Sequence, residues 1–512
     1  MTDSLWRAIA TRSAKAPDAP LIVEADGATY SNGRAAELVS RWGRTLRAVG
    51  MGGRVATVLP NQAALHLLRM ASGHAGLPFA ALNPLLRGRM LADALLRTSA
   101  SDIIVSAETA ELVGEVQSLL PVTVRVHLLD GDELTMSVRR GGGSAPPFNA
   151  DPDPDRTLAI VYTSGTSGPA KPVLLSASVL HLYGGTLFDD QDRTWPAGAG
   201  YYCPWHPAHI LGAVALDTAV RRNLVLVLRR KFDHAAFWSD IRRHDCRLTV
   251  LVAVAADVWA ARRPDQQRNP LELVGMAPLI PSLDEFERYF GVQTLSIYGM
   301  TEVGTVLVDR SPANCRTTGR PVPGYKCRLE PVPDLETRAE KVGELVVRPV
   351  VPTSEYDTTN GPPLAVWHDG WFHTGDLFIE VDGSYSYIGR IKDCIRRRGR
   401  NISSADLEAL IREISGVFDC ACVGVSDANN PPGDDDDIRL FIQPAPGVEL
   451  DVARVVEQSR RRLPWFMLPR YVDVVDELPR TPSGKLARGV LRQLPLGTQT
   501  YDRKQFSALG VC

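Results

Sequence analysis

The sequence predicts an α/β protein: a large N-terminal domain of two helix-covered sheets plus a small β-rich subdomain, then a small α+β C-terminal domain. Three observations carry that expectation. Strand and helix patterns alternate through the first hundred residues and return from Leu224 to Tyr298, the rhythm of parallel sheets covered by helices. From about Thr317 to Tyr387 glycine and proline become frequent and the apolar segments short. After Arg390 a basic stretch opens a third texture of helix, strands and helix.

In chain order, Ala35, Leu38, Val39, Trp42 and Leu46 recur at helical spacing after Ser31-Asn32, residues that cap helices well. Arg54 to Pro60 and Asp102 to Val105 read as short buried strands. Leu158 to Val161 and the apolar run Thr249 to Val254, closed by Asp257, read the same way. In the Gly/Pro-rich region, Lys326 to Glu330 and Glu344 to Arg348 are expected strands, and Tyr385 to Ile388 after Asp382-Gly383 suggests a hairpin. Beyond the basic stretch the pattern predicts a helix at Ala405–Ile414, strands at Ala421–Val425 and Ile438–Ile442, and a helix at Val452–Leu463. The acidic run Asp434–Asp437 reads as a solvated loop between two strands, with a cation site as the alternative.

The chain has 512 residues, 44% apolar and 23% charged, which supplies a large core and excludes a disordered chain. A formal net charge of −2 gives no global basic field for nucleic acid or an anionic membrane. The first twenty residues carry charge and proline too early for a secretory leader. No apolar run approaches the roughly 20 residues that a membrane span needs. The eight cysteines lack metal-ligand spacing. A cytoplasmic enzyme with reduced thiols is the expectation.

Four segments carry chemistry. Tyr162-Thr-Ser-Gly-Thr-Ser-Gly-Pro-Ala-Lys171 follows an apolar strand. Its two glycines let backbone approach an anion, and its hydroxyls and N–H groups suit phosphate oxygens. It lacks the Gly-Lys-Ser/Thr order of a P-loop, and taken alone it also reads as a Ser/Thr-rich surface loop. Ser296-Ile-Tyr-Gly-Met-Thr-Glu302 places an aromatic ring, a small residue, a hydroxyl and a carboxylate together, a set suited to adenine, phosphate and Mg²⁺. In Gly370-Trp-Phe-His-Thr-Gly-Asp376 one carboxylate follows a glycine turn and suits ribose hydroxyls, with an Asx turn as the alternative. Pro479-Arg-Thr-Pro-Ser-Gly-Lys485 offers a lysine on a tight turn, otherwise a solvated loop residue.

Together these segments, in order and approximate spacing, resemble the acyl-CoA synthetase, luciferase and peptide-synthetase adenylation superfamily across nearly the whole chain. Gly389-Arg-Ile-Lys-Asp-Cys-Ile395 matches the family's hinge signature as well. Arg396-Arg-Arg-Gly-Arg-Asn-Ile-Ser-Ser404 looks most like the crotonobetaine/carnitine and medium-chain branch of the CoA ligases.

The resemblance implies roles residue by residue. Thr163, Ser164, Gly165, Thr166, Ser167, Gly168 and Lys171 would close over the ATP phosphates. Tyr298 would stack on adenine, with Gly275, Met276 and Ala277 as the opposite wall and Gly299 and Met300 beside it. Thr301 would reach the α-phosphate and Glu302 would hold Mg²⁺. Asp376 would take the ribose hydroxyls, with Arg390 beside it. Lys485 would bridge the acid's carboxylate and the α-phosphate. That is catalysis by positioning and electrostatics. His209, followed by Ile-Leu-Gly212, would lie beside the acyl pocket, where a core histidine is the alternative. Trp205, His206, Val303 and Gly304 would shape that pocket. A small residue at Gly304 would leave room for a large, mainly apolar acid. The family's division falls here at residues 1–391, with 315–388 β-rich, and 392–512. The second part would be mobile, rotating about Lys392 between half-reactions and presenting Gly399 to the pantetheine tunnel of CoA.

Departures from the family pattern bear on both halves. Lys171-Pro172 stands where the family usually has Lys-Gly, and proline pushes Lys171 toward extended geometry. Arg400 and Asp406 stand where the branch commonly has glutamate. A CoA ligase performing both half-reactions is the leading expectation. An enzyme that only adenylates and hands acyl-AMP to a partner enzyme or carrier protein is the second, and a non-catalytic nucleotide- or acyl-binding homologue the third. Retention of Lys485, Glu302 and Asp376 argues against the third. The 27 residues after Lys485 leave no room for a carrier domain, and a luciferase-like oxidation has no support beyond fold.

Overall fold

A computed structural model describes residues 5–48, 53–121, 124–135, 156–163, 171–186, 188, 194–311, 317–333, 335–336, 341–349, 355–356, 366–397, 400–426, 436–463, 467–480, 486–497 and 499–503. Two large sheets dominate. The first has eight strands, with Phe79–Leu82 at its centre flanked by Val55–Val58 and Thr157–Tyr162 in parallel. The second has nine strands, six of them parallel, from Gln293–Met300 across Leu273–Ala277, Cys246–Val252, Gly200–Cys203 and Val225–Leu228 to Pro20–Glu24. Antiparallel strands close the edges of both.

The predicted helix forms as Asn32–Ala48, with the Ser31 hydroxyl accepting the Arg34 N–H at 3.2 Å. Ala35, Leu38, Val39, Trp42 and Leu46 are all buried, each large side chain contributing about 1.5–3 kcal/mol of burial. They join the main core with Leu65 and Leu67 of the helix Ala63–Ala75 and with Tyr201 and Leu226 of the second sheet. On the far side of that sheet an aromatic cluster of Tyr202, Phe237, Trp238, Phe286 and Phe290 packs against Val274 and Met276.

The Gly/Pro-rich region is a five-stranded antiparallel sheet containing Tyr325–Glu330, Val342–Pro349, Trp371–Val381 and Ser384–Arg390. Its hairpin turns at Asp382-Gly383, both at positive φ (50° and 75°), the geometry that Asp-Gly favours. The C-terminal residues form a four-stranded sheet, Val417–Ser426, Asp436–Pro444, Tyr471–Val474 and Tyr501–Asp502, covered by the helices Ser404–Arg412 and Val452–Arg462. Just before it, Ile395–Arg397 and Arg400–Ile402 form a hairpin that pairs with Leu335–Glu336.

The acidic run departs from its expectation. Asp436 and Asp437 lie within a strand, and Asp437 is buried between Arg397 at 3.1 Å and Arg470. Two guanidinium groups compensate the charge of Asp437, which is therefore neither a solvated loop residue nor a cation ligand, and Asp436 is a strand residue rather than loop; Asp434 and Asp435 lie outside the described residues. No helix among the described residues is long and apolar enough to cross a membrane. Six cysteines among them are free.

Candidate active site

The strand Gln293–Met300, last of the parallel run in the large sheet, carries the second segment, and the turn Thr301–Val303 returns it as the antiparallel strand Gly304–Asp309. This turn is tight. A Cβ on Gly299 would stand 2.1 Å from the Gly304 carbonyl oxygen, so glycine is required there. Gly304 takes φ +70°, and a Cβ on it would stand 2.2 Å from Cδ1 of Tyr183. The space that the sequence leaves beside Gly304 is therefore filled by the Tyr183 ring. Tyr183 is itself buried, and its hydroxyl donates to the Glu302 carbonyl at 2.8 Å. The Tyr325 hydroxyl donates to the next carbonyl, Val303. Glu302 and Val303 are buried, and Thr301 is half-buried. Two phenols thus hold the backbone that presents Thr301 and Glu302.

Tyr298 and Asp376 lie 78 residues apart in the chain and meet in space, the phenol donating to the carboxylate at 2.8 Å. Burial, with the Asp376 charge next, raises the Tyr298 hydroxyl pKa well above its ordinary value. Arg390, directly opposite Asp376 in the ladder, sits 2.9 Å from the other carboxylate oxygen. The Tyr298 ring packs edge-on against Phe378 at 4.8 Å and lies near-parallel to Tyr387 at 6.4 Å. On the neighbouring strand Leu273–Ala277, Gly275 turns toward Phe188, at 3.5 Å from a Cβ placed there. Met276 turns the other way into the aromatic cluster, so its backbone rather than its side chain lies on the Tyr298 side; Ala277 is half-buried on that side.

Thr163 and Lys171 bracket the phosphate-loop candidate. The Thr163 N–H donates to the Lys171 carbonyl at 3.0 Å, and the Lys171 N–H donates to the Thr163 hydroxyl at 3.2 Å. That exchange puts the next pair, Tyr162 and Pro172, at a position without ladder bonds to each other. The absent N–H of Pro172 consequently breaks no rung of this pair, which is why proline is tolerated here. Lys171 is exposed. Ser164, Gly165, Thr166, Ser167 and Gly168 lie outside the described residues, as do Gly399 and Lys485; so do the side chains of Arg400 and Asp406.

His209 is the N-cap of the short helix Ile210–Ala213, its Nδ1 accepting the Leu211 N–H at 3.3 Å. Trp205 lies 6.3 Å away, ring to ring, and its Nε1 donates to the Val250 carbonyl at 2.9 Å. Both are half-buried. A Cβ on Gly212 would meet the Trp205 and His206 backbone at 2.3–2.4 Å. Burial pushes the His206 imidazole down to about 4; Nε2 lies 2.8 Å from the Leu59 carbonyl. Tyr183 packs with Ala213 and Val214, so it stands between this helix and the Gly304 turn. Lys392 occupies the one-turn helix Ile391–Asp393, where burial and then the Arg390 charge lower its ammonium pKa. The adjacent Asp393 lies 3.6 Å from Arg488 and 3.4 Å from Arg492. Among the described residues no group of three or more His, Cys, Asp or Glu could hold a metal ion.

Sequence reasoning missed Tyr183, Tyr325 and Glu344. The first two act through hydroxyls on backbone carbonyls far away in the chain, which no local pattern announces. Glu344 reads as a strand residue and is bound to the segment that carries Asp376.

Against known proteins, residues 9–356 match the family described as AMP-binding enzyme, and residues 406–485 match the AMP-binding enzyme C-terminal domain. The chain is 30% identical over 475 residues to a feruloyl-CoA synthase of an Amycolatopsis species, covering 89% of this chain and 92% of that one. It is 28% identical to a sulfoacetate–CoA ligase of Cupriavidus necator, covering 95% and 97%. Its fold superposes on ATP-bound MatB of Rhodopseudomonas palustris with a TM-score of 0.81 at 23% identity, over 96% of this chain and 99% of the other.

Proposed function

The chain belongs to the AMP-binding enzyme family, and from that premise we propose that it is an AMP-forming acid–thiol ligase that converts a large, mainly apolar carboxylic acid to its CoA thioester through an acyl-adenylate. The observation that carries the reading is the meeting of Tyr298, Asp376 and Arg390 beside the tightly held Thr301–Gly304 turn. An aromatic ring, a carboxylate suited to a ribose and a buried carboxylate suited to MgATP come together where the β-rich sheet meets the end of the strand Gln293–Met300.

In the first half-reaction an oxygen of the acid's carboxylate attacks the α-phosphorus of ATP and the bond to pyrophosphate breaks. Lys485 neutralises charge on both reacting groups, Thr301 positions the α-phosphate, and Glu302 holds the Mg²⁺ that arrives with ATP. The segment from Thr163 to Gly168, with Lys171, encloses the outer phosphates. In the second half-reaction the CoA thiolate attacks the acyl carbon, and AMP leaves with one of the acid's oxygens. Residues 392–512 rotate about Lys392 between the two steps, withdrawing Lys485 and bringing Gly399 to the pantetheine. The enzyme works in the cytoplasm.

An aromatic acid fits best. Trp205 and His209 supply aromatic walls, and the feruloyl-CoA synthase relative is joined by an indoleacetate–CoA ligase of Aromatoleum aromaticum, 29% identical over 364 residues and covering 69% of this chain and 70% of that one. Screening aromatic, branched and short-chain acids for pyrophosphate release, with and without CoA, tests this. The reading predicts acid-dependent release that CoA accelerates, greatest with aryl or arylalkanoic acids. Acyl-AMP that accumulates and turns over no faster with CoA would instead require an acyl-accepting partner enzyme or carrier protein.

A further inference from the structure

We propose that Glu344 is a positioning residue for nucleotide binding, its carboxylate fixing the bulged segment that aims Asp376 at the ribose; this rests on the ribose assignment above. The strand Val342–Pro349 pairs with Trp371–Val381, but the register slips. Glu344 faces Leu377 while Val346 faces His373. Leu345 alone therefore stands against Thr374, Gly375 and Asp376, and the Thr-Gly-Asp segment is itself the bulge. Bulges re-aim side chains and leave amides without ladder partners.

The freed groups find partners locally. Gly375, at φ +69°, donates its N–H to Glu344 Oε1 at 2.8 Å. The Asp376 N–H donates to the Thr374 hydroxyl at 3.1 Å, which donates to the Leu345 carbonyl at 2.7 Å. The second oxygen of Glu344 accepts Nδ1–H of His373 at 3.0 Å. One carboxylate thus grips the bulge at its apex and at its entry. On the opposite side Asp376 faces Tyr298 and Arg390, so Glu344 stands behind the ribose-facing carboxylate. Without it, the Gly375 N–H loses its protein acceptor in this half-buried segment, and the bulge relaxes toward another arrangement.

The test measures acid-dependent ATP–pyrophosphate exchange with ATP and with 2′-deoxy- and 3′-deoxy-ATP, alongside thermal midpoints, for wild type, Asp376→Ala, Glu344→Gln and Glu344→Ala. Asp376→Ala should raise KM for ATP and erase the preference for the intact ribose. Glu344→Ala should raise KM for ATP about tenfold, narrow that preference, and leave KM for the acid unchanged. Glu344→Gln keeps an oxygen for the Gly375 N–H and should recover most of the loss. A folded Glu344→Ala with wild-type KM and ribose preference, beside an impaired Asp376→Ala, overturns the role of Glu344. An unimpaired Asp376→Ala overturns the ribose assignment, and this inference with it. If Glu344→Ala does not fold, His373→Ala decides: a raised KM for ATP with narrowed ribose preference supports the proposal, and wild-type values refute it.

Discussion

Replacing Gly304 with alanine is expected to destabilise the N-terminal domain and loosen the turn that carries Glu302. Two costs add. An L-residue at φ +70° is strained by about 1–2 kcal/mol. A methyl 2.2 Å from the Tyr183 ring overpacks the site by about 1–3 kcal/mol. Together these give roughly 2–5 kcal/mol, or a fall of about 2–6 °C in the thermal midpoint for a domain of this size. Displacing Tyr183 also breaks its bond to the Glu302 carbonyl, so the Mg²⁺ concentration for half-maximal adenylation should rise. Differential scanning calorimetry with a Mg²⁺ titration of pyrophosphate exchange reads both. Adding Tyr183→Ala relieves the overpacking but not the strain, so the double variant should lose about 1–3 kcal/mol less than the sum of the singles. Strict additivity, or an alanine variant that melts like wild type, would refute the packing of Tyr183 on Gly304.

Further expectations follow from the site and its surroundings. Lys485→Ala should nearly abolish acid-dependent pyrophosphate exchange while ATP still binds, and wild-type exchange would remove its bridging role. Glu302→Gln should raise the Mg²⁺ requirement; an unchanged titration would place the metal elsewhere. Lys392→Pro restricts φ at the pivot and should spare acyl-AMP formation while blocking transfer from preformed acyl-AMP to CoA, whereas intact transfer would move the hinge. The half-buried His206, its ring against the Leu59 carbonyl, resists protonation until about pH 4, while in the unfolded chain it titrates near about 6.5. Its contribution is thus fully present above about pH 6.5 and falls between there and about pH 4, where the unfolded state binds the proton and the folded state does not. Stability measured across that window should slope less in His206→Gln, and parallel slopes would contradict the burial of a neutral imidazole.

The regular elements were legible because they rest on local patterns. The buried face of Asn32–Ala48, the strand Asp102–Val105 and the Asp382-Gly383 turn each follow from spacing or turn chemistry within a few residues. Asp437 misled because its charge is answered by Arg397 and Arg470, 40 and 33 residues away in the chain. The motifs placed Tyr298 and Asp376, yet not their hydrogen bond, which depends on how the β-rich sheet docks against the strand Gln293–Met300. Gly304 suggested open space, and the ring that fills it comes from a helix more than a hundred residues earlier, Ala177–Thr186.

The acyl-adenylate is the centre of the account, and isotope transfer tests it most directly. An accepted acid, labelled with ¹⁸O at both carboxylate oxygens, is incubated with ATP, Mg²⁺ and CoA, and the AMP released is weighed by mass spectrometry. Attack of the carboxylate on the α-phosphorus, followed by attack of the thiolate on the acyl carbon, leaves one labelled oxygen on each AMP formed. AMP without label, released in step with acyl-CoA, would contradict the adenylate route.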